Sequence, residues 1–136
     1  MPRRKVSIIG AGNVGATAAY YVAEKVIADI VMVDVVEGLT QAKALDFLHA
    51  GPMRRYDVSI RGTCEFSEIE DSDVVVITAG LPRKPGMDRM DLLKVNADIV
   101  KSASKSISGS LNGNASPFGL HFCGRPAAQS SAGSPV

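Results

Sequence analysis

Two short segments, residues 30–33 (IVMV) and 74–77 (VVVI), are apolar at every position. A strand with one wet face alternates polar and apolar side chains. An unbroken apolar run marks a strand covered on both faces, which is the condition of strands in a parallel sheet. A third β-rich segment, 5–9, carries Val6, Ile8 and Ile9 and stops at Gly10. Between these lie segments with helical character. Residues 13–25 hold Ala16, Ala18, Ala19, Val22 and Ala23 without proline, and 39–48 place Ala44, Leu45 and Leu48 at helical spacing before Gly51-Pro52, the expected stop. The pattern predicts a modest strand over 58–61, a short acidic connection over 67–70, a loop over 81–88 and a helix over 91–100. The order β-α-β-α-β-β-α, with strands buried on both faces, predicts an α/β fold built on an open, doubly wound parallel sheet.

Composition sets a boundary within this plan. The chain has 136 residues, and all 14 acidic ones fall between Glu24 and Asp98. From Ser102 onward Ser, Gly, Ala and Pro dominate, a mixture that offers little apolar surface to offset its ordering entropy. The sequence therefore divides into a patterned domain, 1–101, and an unpatterned tail, 102–136, expected to be disordered. A net charge of +1 argues against a nucleic-acid binder. No apolar run approaches the ~20 residues that span a bilayer. The basic start, Met-Pro-Arg-Arg-Lys, resembles the head of a signal peptide, but the glycines that follow interrupt the apolar stretch such a peptide needs. Cys64 and Cys123 are too few for a disulfide scaffold and lack metal-ligand spacing. They suit a reducing compartment, so the expected location is the cytoplasm, and no metal site is expected.

The first chemical signal is Gly10-Ala11-Gly12-Asn13-Val14-Gly15, between the first strand and the first helix. Gly10 permits a tight turn off the strand, Gly12 lets backbone approach a pyrophosphate, and Gly15 lets the helix pack closely. The helix beginning near Asn13 aims free amides and the positive end of its dipole at the same place. A glycine-rich turn with no ligand has the same spacing. Context narrows the choice: the second strand ends in Asp34, where a carboxylate grips the ribose hydroxyls of an adenine dinucleotide and repels a 2′-phosphate. The unit therefore reads as a Rossmann-type site that favours NAD over NADP.

The second signal follows the strand at 74–77. The loop TAGLPRKPGMDR places Arg83, Lys84 and Arg89 beside a single acid, Asp88. A guanidinium fork matches a carboxylate, so the loop fits an anionic substrate, although a solvated basic loop would have the same composition. Its two prolines and glycine suit a shaped loop with hinges.

The segments GAGNVG, VDVVEG, DSDVVVITAGLPRKPGMDR and DLLKVNADIV together closely resemble the malate dehydrogenase family, in its bacterial, lactate dehydrogenase-like form, over residues 4–101. The resemblance implies that Gly10, Ala11, Gly12, Asn13, Val14 and Gly15 bind the NAD pyrophosphate, that Asp34 holds the adenosine ribose and that Asn96 contacts the cofactor on its nicotinamide side. It implies that Arg83 grips the second carboxylate of malate or oxaloacetate and that Arg89 polarises the reacting carbonyl. Lactate dehydrogenases carry an uncharged residue in place of Arg83. A buried guanidinium without a carboxylate partner is costly, so Arg83 favours a dicarboxylate. The family also implies a homo-oligomer built partly on the helix at 39–48.

The resemblance fails at about residue 102, and Thr40, Ala42 and Met90 are smaller departures within the matched part. The family's proton-transfer histidine, its aspartate and the arginine for the first substrate carboxylate lie further along a longer chain. His49 reads instead as a cation at a helix C-terminus, and His121 sits in the unpatterned tail with no acid near it in sequence. The expectation is an N-terminal part of a malate dehydrogenase lacking the catalytic histidine. The alternative is an inactive NAD-binding fragment, or the product of a truncated or frameshifted gene.

Overall fold

The structure, a computed structural model, describes residues 3–81, 85–110 and 121–122. Its elements in chain order are β1 (Lys5–Ile9), α1 (Asn13–Glu24), β2 (Asp29–Val33), α2 (Leu39–Arg54), β3 (Ile60–Thr63), a short 3-10 turn (Phe66–Ile69), β4 (Val74–Ile77), α3 (Arg89–Ser110) and β5 (His121–Phe122). The strands form one parallel sheet in the order β3-β2-β1-β4-β5. The chain winds outward from β1 to β3, then returns to place β4 on the other side of β1. The reversal opens a crevice between the carboxyl ends of β1 and β4, the position at which open α/β sheets bind ligands.

Strands β1 and β2 are buried from their second residue on, whereas β4 buries Ile77 fully and Val74, Val75 and Val76 only in part, and the core lies on both faces of the sheet. On one face Val6, Ile8, Ile30, Met32 and Ile60 pack against Ala19 and Ala23 of α1 and Ala44 of α2. On the other, Ile9, Val31, Val33 and Ile77 pack against Ile69 and against Ala103 and Ile107 of α3. The small alanines allow α1 to lie close to the strands. Ser7 is the polar exception in a buried strand, and its hydroxyl is satisfied by Ser72 at 2.6 Å.

Three elements differ from the sequence-based expectation. Helix α2 does not stop before Gly51-Pro52 but continues to Arg54. Pro52 forfeits one amide in the last turn. The helix then ends at Arg55 in the left-handed conformation (φ 61°), and the Tyr56 amide returns to the Gly51 carbonyl at 3.2 Å. His49 is consequently an exposed residue inside a helix, not its terminal cation.

Strand β3 begins at Ile60, two residues later than the β-branched pattern of 58–61 implies. Its register is set by Ile30↔Ile60 through Val33↔Thr63. Gly62 belongs to the strand because α2 crosses there: a Cβ at Gly62 would stand 2.1 Å from the backbone carbon of Thr40. Thr40 is itself fully buried.

Helix α3 extends past residue 101 to Ser110, and its Ala103 and Ile107 are core residues. The expected division at 101 therefore cuts through a packed helix. The two residues at 121–122 add a short edge strand, with His121 opposite Val76 and Phe122 opposite Ile77. Among the described residues, no helix is long and apolar enough to cross a membrane.

Candidate dinucleotide site

The glycine turn is locked into the crevice by backbone bonds from two strands. Gly10 donates to the Val33 carbonyl of β2 at 2.7 Å, and Thr78, just past β4, donates to the Ile9 carbonyl at 2.8 Å. Gly10 has φ +100°, and a Cβ there would meet the Ala79 amide nitrogen at 2.7 Å. Conformation and space both demand glycine at this position.

Gly15 is required for a different reason. A Cβ at this position would fall 1.9 Å from the Gly10 carbonyl oxygen and 2.6 Å from the Thr78 hydroxyl, so its absence lets the first turn of α1 rest on the glycine turn. Gly12 is different again. Its backbone is extended (φ −64°, ψ −171°), and nothing lies within 4 Å of where its Cβ would be. What Gly12 provides is open space above an exposed peptide.

Helix α1 starts there without a side-chain cap, and Gly12, Asn13 and Val14 are exposed. The first amides of the helix are therefore uncommitted donors at the positive end of its dipole.

Asp34 closes the other side. It is half-buried at the end of β2, and one carboxylate oxygen accepts the Ala11 N–H at 2.6 Å while the other accepts the Val36 N–H at 3.1 Å. Each oxygen keeps a second lone pair for a hydroxyl. Two side chains that the motif reading did not single out complete the support. The Thr78 hydroxyl donates to the Gly10 carbonyl at 2.9 Å, and Lys43 of α2 donates to the Ala11 carbonyl. Neither carries a spacing signature. Thr78 is placed by the parallel pairing of β4 with β1, and Lys43 by the way α2 crosses the sheet.

The remaining sequence-predicted residues are distributed less tightly. Arg83, with Pro82 and Lys84, lies outside the described residues. Arg89 is the first residue of α3 and is exposed. Asp88 starts that helix, with its carboxylate accepting the Arg89 N–H at 2.6 Å and its carbonyl the Leu92 N–H at 3.2 Å. Asn96 reaches back across the crevice edge to the chain leaving β4. Its side-chain oxygen accepts the Leu81 N–H at 2.7 Å, and its amide nitrogen lies 3.4 Å from the Leu81 carbonyl. Asn96 thus ties α3 to the segment that enters the arginine loop.

An open-topped glycine, uncapped helix amides and an acid at the end of β2 suit a ligand with a diphosphate and a ribose. Residues 4–115 match the family model described as lactate/malate dehydrogenase, NAD binding domain. The chain belongs to this family. As an NAD-binding domain of this kind it has NAD as its cofactor, and the crevice residues fit that cofactor on their own geometry.

Over 103 residues the chain is 59% identical to malate dehydrogenase of Thermomicrobium roseum, covering 76% of this chain and 33% of that protein. Among solved structures, malate dehydrogenase of Picrophilus torridus in its apo form is 46% identical with a TM-score of 0.76, over 80% of this chain and 36% of that one. A lactate dehydrogenase from Cryptosporidium parvum, complexed with lactic acid and NAD, is 40% identical with a TM-score of 0.73, over 79% of this chain and 34% of the other. The chain spans about a third of the length of the relatives it matches.

Proposed function

We propose that this chain is the cofactor-binding part of an NAD-dependent malate dehydrogenase, and that the 136 residues alone bind NAD without oxidising malate. The observation that carries the reading is the Asp34-held glycine turn in the crevice between β1 and β4. NAD, when bound, supplies the hydride acceptor. Gly10 to Gly15 hold the diphosphate through backbone amides. Asp34 takes the ribose hydroxyls and disfavours a 2′-phosphate through charge repulsion. Asn96 holds the Leu81 backbone at the mouth of the nicotinamide side.

Malate is favoured over lactate as the family's substrate here by two independent supports. Arg83 provides a guanidinium for a second carboxylate, and the malate dehydrogenase of Thermomicrobium roseum shares 59% identity over the matched part. Arg89 is the residue for the reacting carbonyl.

Oxidation of an alcohol also needs a base for the hydroxyl proton. In the family that base is a histidine paired with an aspartate, and neither matches a position in these 136 residues. Positioned acid–base catalysis is worth ~10²–10⁴ in rate, and the orienting half of a pocket is worth more. Purified chain, free of host dehydrogenase, is expected to show no malate-dependent reduction of NAD above the blank. Turnover that survives purification and disappears on His121→Ala would overturn the inactive-fragment reading and assign the proton transfer to the segment after 101.

A further inference from the structure

Ala11 stands between two peptide groups, and the structure treats them differently. The Gly10–Ala11 peptide is held at both poles: its N–H donates to Asp34, and its carbonyl accepts from the Thr78 hydroxyl. The Ala11–Gly12 peptide is held at one pole, where its carbonyl accepts from the Lys43 ammonium at 2.5 Å. The other pole, the Gly12 N–H, has no partner among the described residues.

We propose that Lys43 is a positioning residue for the dinucleotide, acting through this peptide. A trans peptide directs its C=O and N–H in opposite senses, and among the described residues no peptide is cis. A cation fixed on the Ala11 carbonyl therefore fixes the direction of the Gly12 N–H. It also polarises the unit, so the free N–H becomes a stronger donor. The N–H is therefore directed away from Lys43, on a residue that is exposed and has nothing within 4 Å of where its Cβ would be, so a diphosphate can approach it.

Lys43 is suited to the task. It is half-buried, which limits the freedom of its stem, and among the described residues no carboxylate pairs with its ammonium. The inference rests on the glycine turn being the NAD site, and adds to it a residue from α2 that none of the motif positions includes.

The test uses the full chain, Lys43→Met, which keeps the length of the stem without a donor, and Lys43→Arg, which keeps donor and charge. NAD is titrated into each, melting temperatures are recorded, and the Gly12 amide resonance is followed without ligand. Lys43→Met should weaken NAD about tenfold, the scale of one hydrogen bond to a charged group, and should move the Gly12 resonance while Gly109 stays in place. Lys43→Arg should restore binding to within about threefold, again on the hydrogen-bond scale.

Unchanged NAD binding in a folded Lys43→Met chain, or a Gly12 resonance that does not move, overturns the proposal. So does a loss in both variants that merely follows falling melting temperatures. If Lys43→Met does not fold, Lys43→Arg and Lys43→Gln decide, since only the former should then bind NAD like the parent. A parent chain that fails to bind NAD refutes the NAD site, and the proposal with it. The Gly12 resonance tells that failure apart from a failure of the Lys43 contact alone.

Discussion

The glycine turn and the segment beyond β4 sit on the same edge of the sheet but are held in different ways. The turn is fastened from four sides: β2 through the Val33 carbonyl, Asp34 through the Ala11 amide, Thr78 through the Gly10 carbonyl and Lys43 through the Ala11 carbonyl. Past Thr78, the described part of the chain leaving β4 is fastened by the Asn96 side-chain amide on the Leu81 backbone, before the loop that carries Arg83. The contrast teaches that the phosphate-binding geometry is built into the first β-α-β unit and its neighbours. Arg89, proposed above for the reacting carbonyl, stands exposed at the start of α3.

The contrast can be broken most forcefully at Gly15. A side chain there would overlap the Gly10 carbonyl oxygen, which is backbone and cannot rotate away. Gly15→Val is expected to cost about 4 kcal/mol, at the exceptional end of single substitutions, and to abolish NAD binding with it. Denaturant unfolding of the two chains side by side measures this. A Gly15→Val chain of parental stability would mean that α1 does not rest on the turn.

A smaller effect is expected at Ile107. This side chain is buried against the sheet beside Ala103, in a stretch whose composition is otherwise that of a linker. Ile107→Ala should destabilise the chain by about 2–4 kcal/mol, as truncation of a core side chain does, and should leave NAD affinity intact once folded. A change within a few tenths of a kcal/mol, the size of a surface substitution, would place 102–110 outside the core.

Asn96 gives the mildest and most selective change. Asn96→Ala removes the acceptor of the Leu81 amide, which should lose its protection from hydrogen exchange. Global stability should fall by about 1–2 kcal/mol. The amides of the glycine turn should be unaffected, because they share no partner with Leu81. Coupled loss of protection in both places would show that the two regions are held as one.

Most of the architecture was legible because it depends on patterns the side chains display. The unbroken apolar runs at 30–33 and 74–77 announce a parallel sheet, and the glycine spacing with Asp34 announces the crevice. What was hidden depends on contacts between distant segments. Gly62 looks like a strand breaker until α2 passes over it at Thr40. Pro52 looks like a stop until the chain shows that a last helical turn tolerates it. The extension of α3 is carried by Ala103 and Ile107 alone, one turn apart among serines, too sparse a stripe to register as periodicity. Ser108 disguises it further, returning its hydroxyl to the Ser104 carbonyl at 2.9 Å within the helix. Lys43 was invisible for the same reason: its partner is a backbone carbonyl, and no residue type identifies a carbonyl in advance. Arg83 was legible from its loop as a cation suited to an anion, its role toward a second carboxylate came only through the resemblance, and it lies outside the described residues.

As an NAD site, the Asp34-held turn should discriminate against a 2′-phosphate. Calorimetric titration of NAD and NADP into the chain and into Asp34→Ser tests it most directly, with melting curves run on both. The parent is expected to bind NAD more tightly than NADP. Asp34→Ser should weaken NAD and narrow the gap, because the ribose loses its acceptor and the 2′-phosphate loses its repulsion. A folded Asp34→Ser chain that keeps the parent's preference would contradict it.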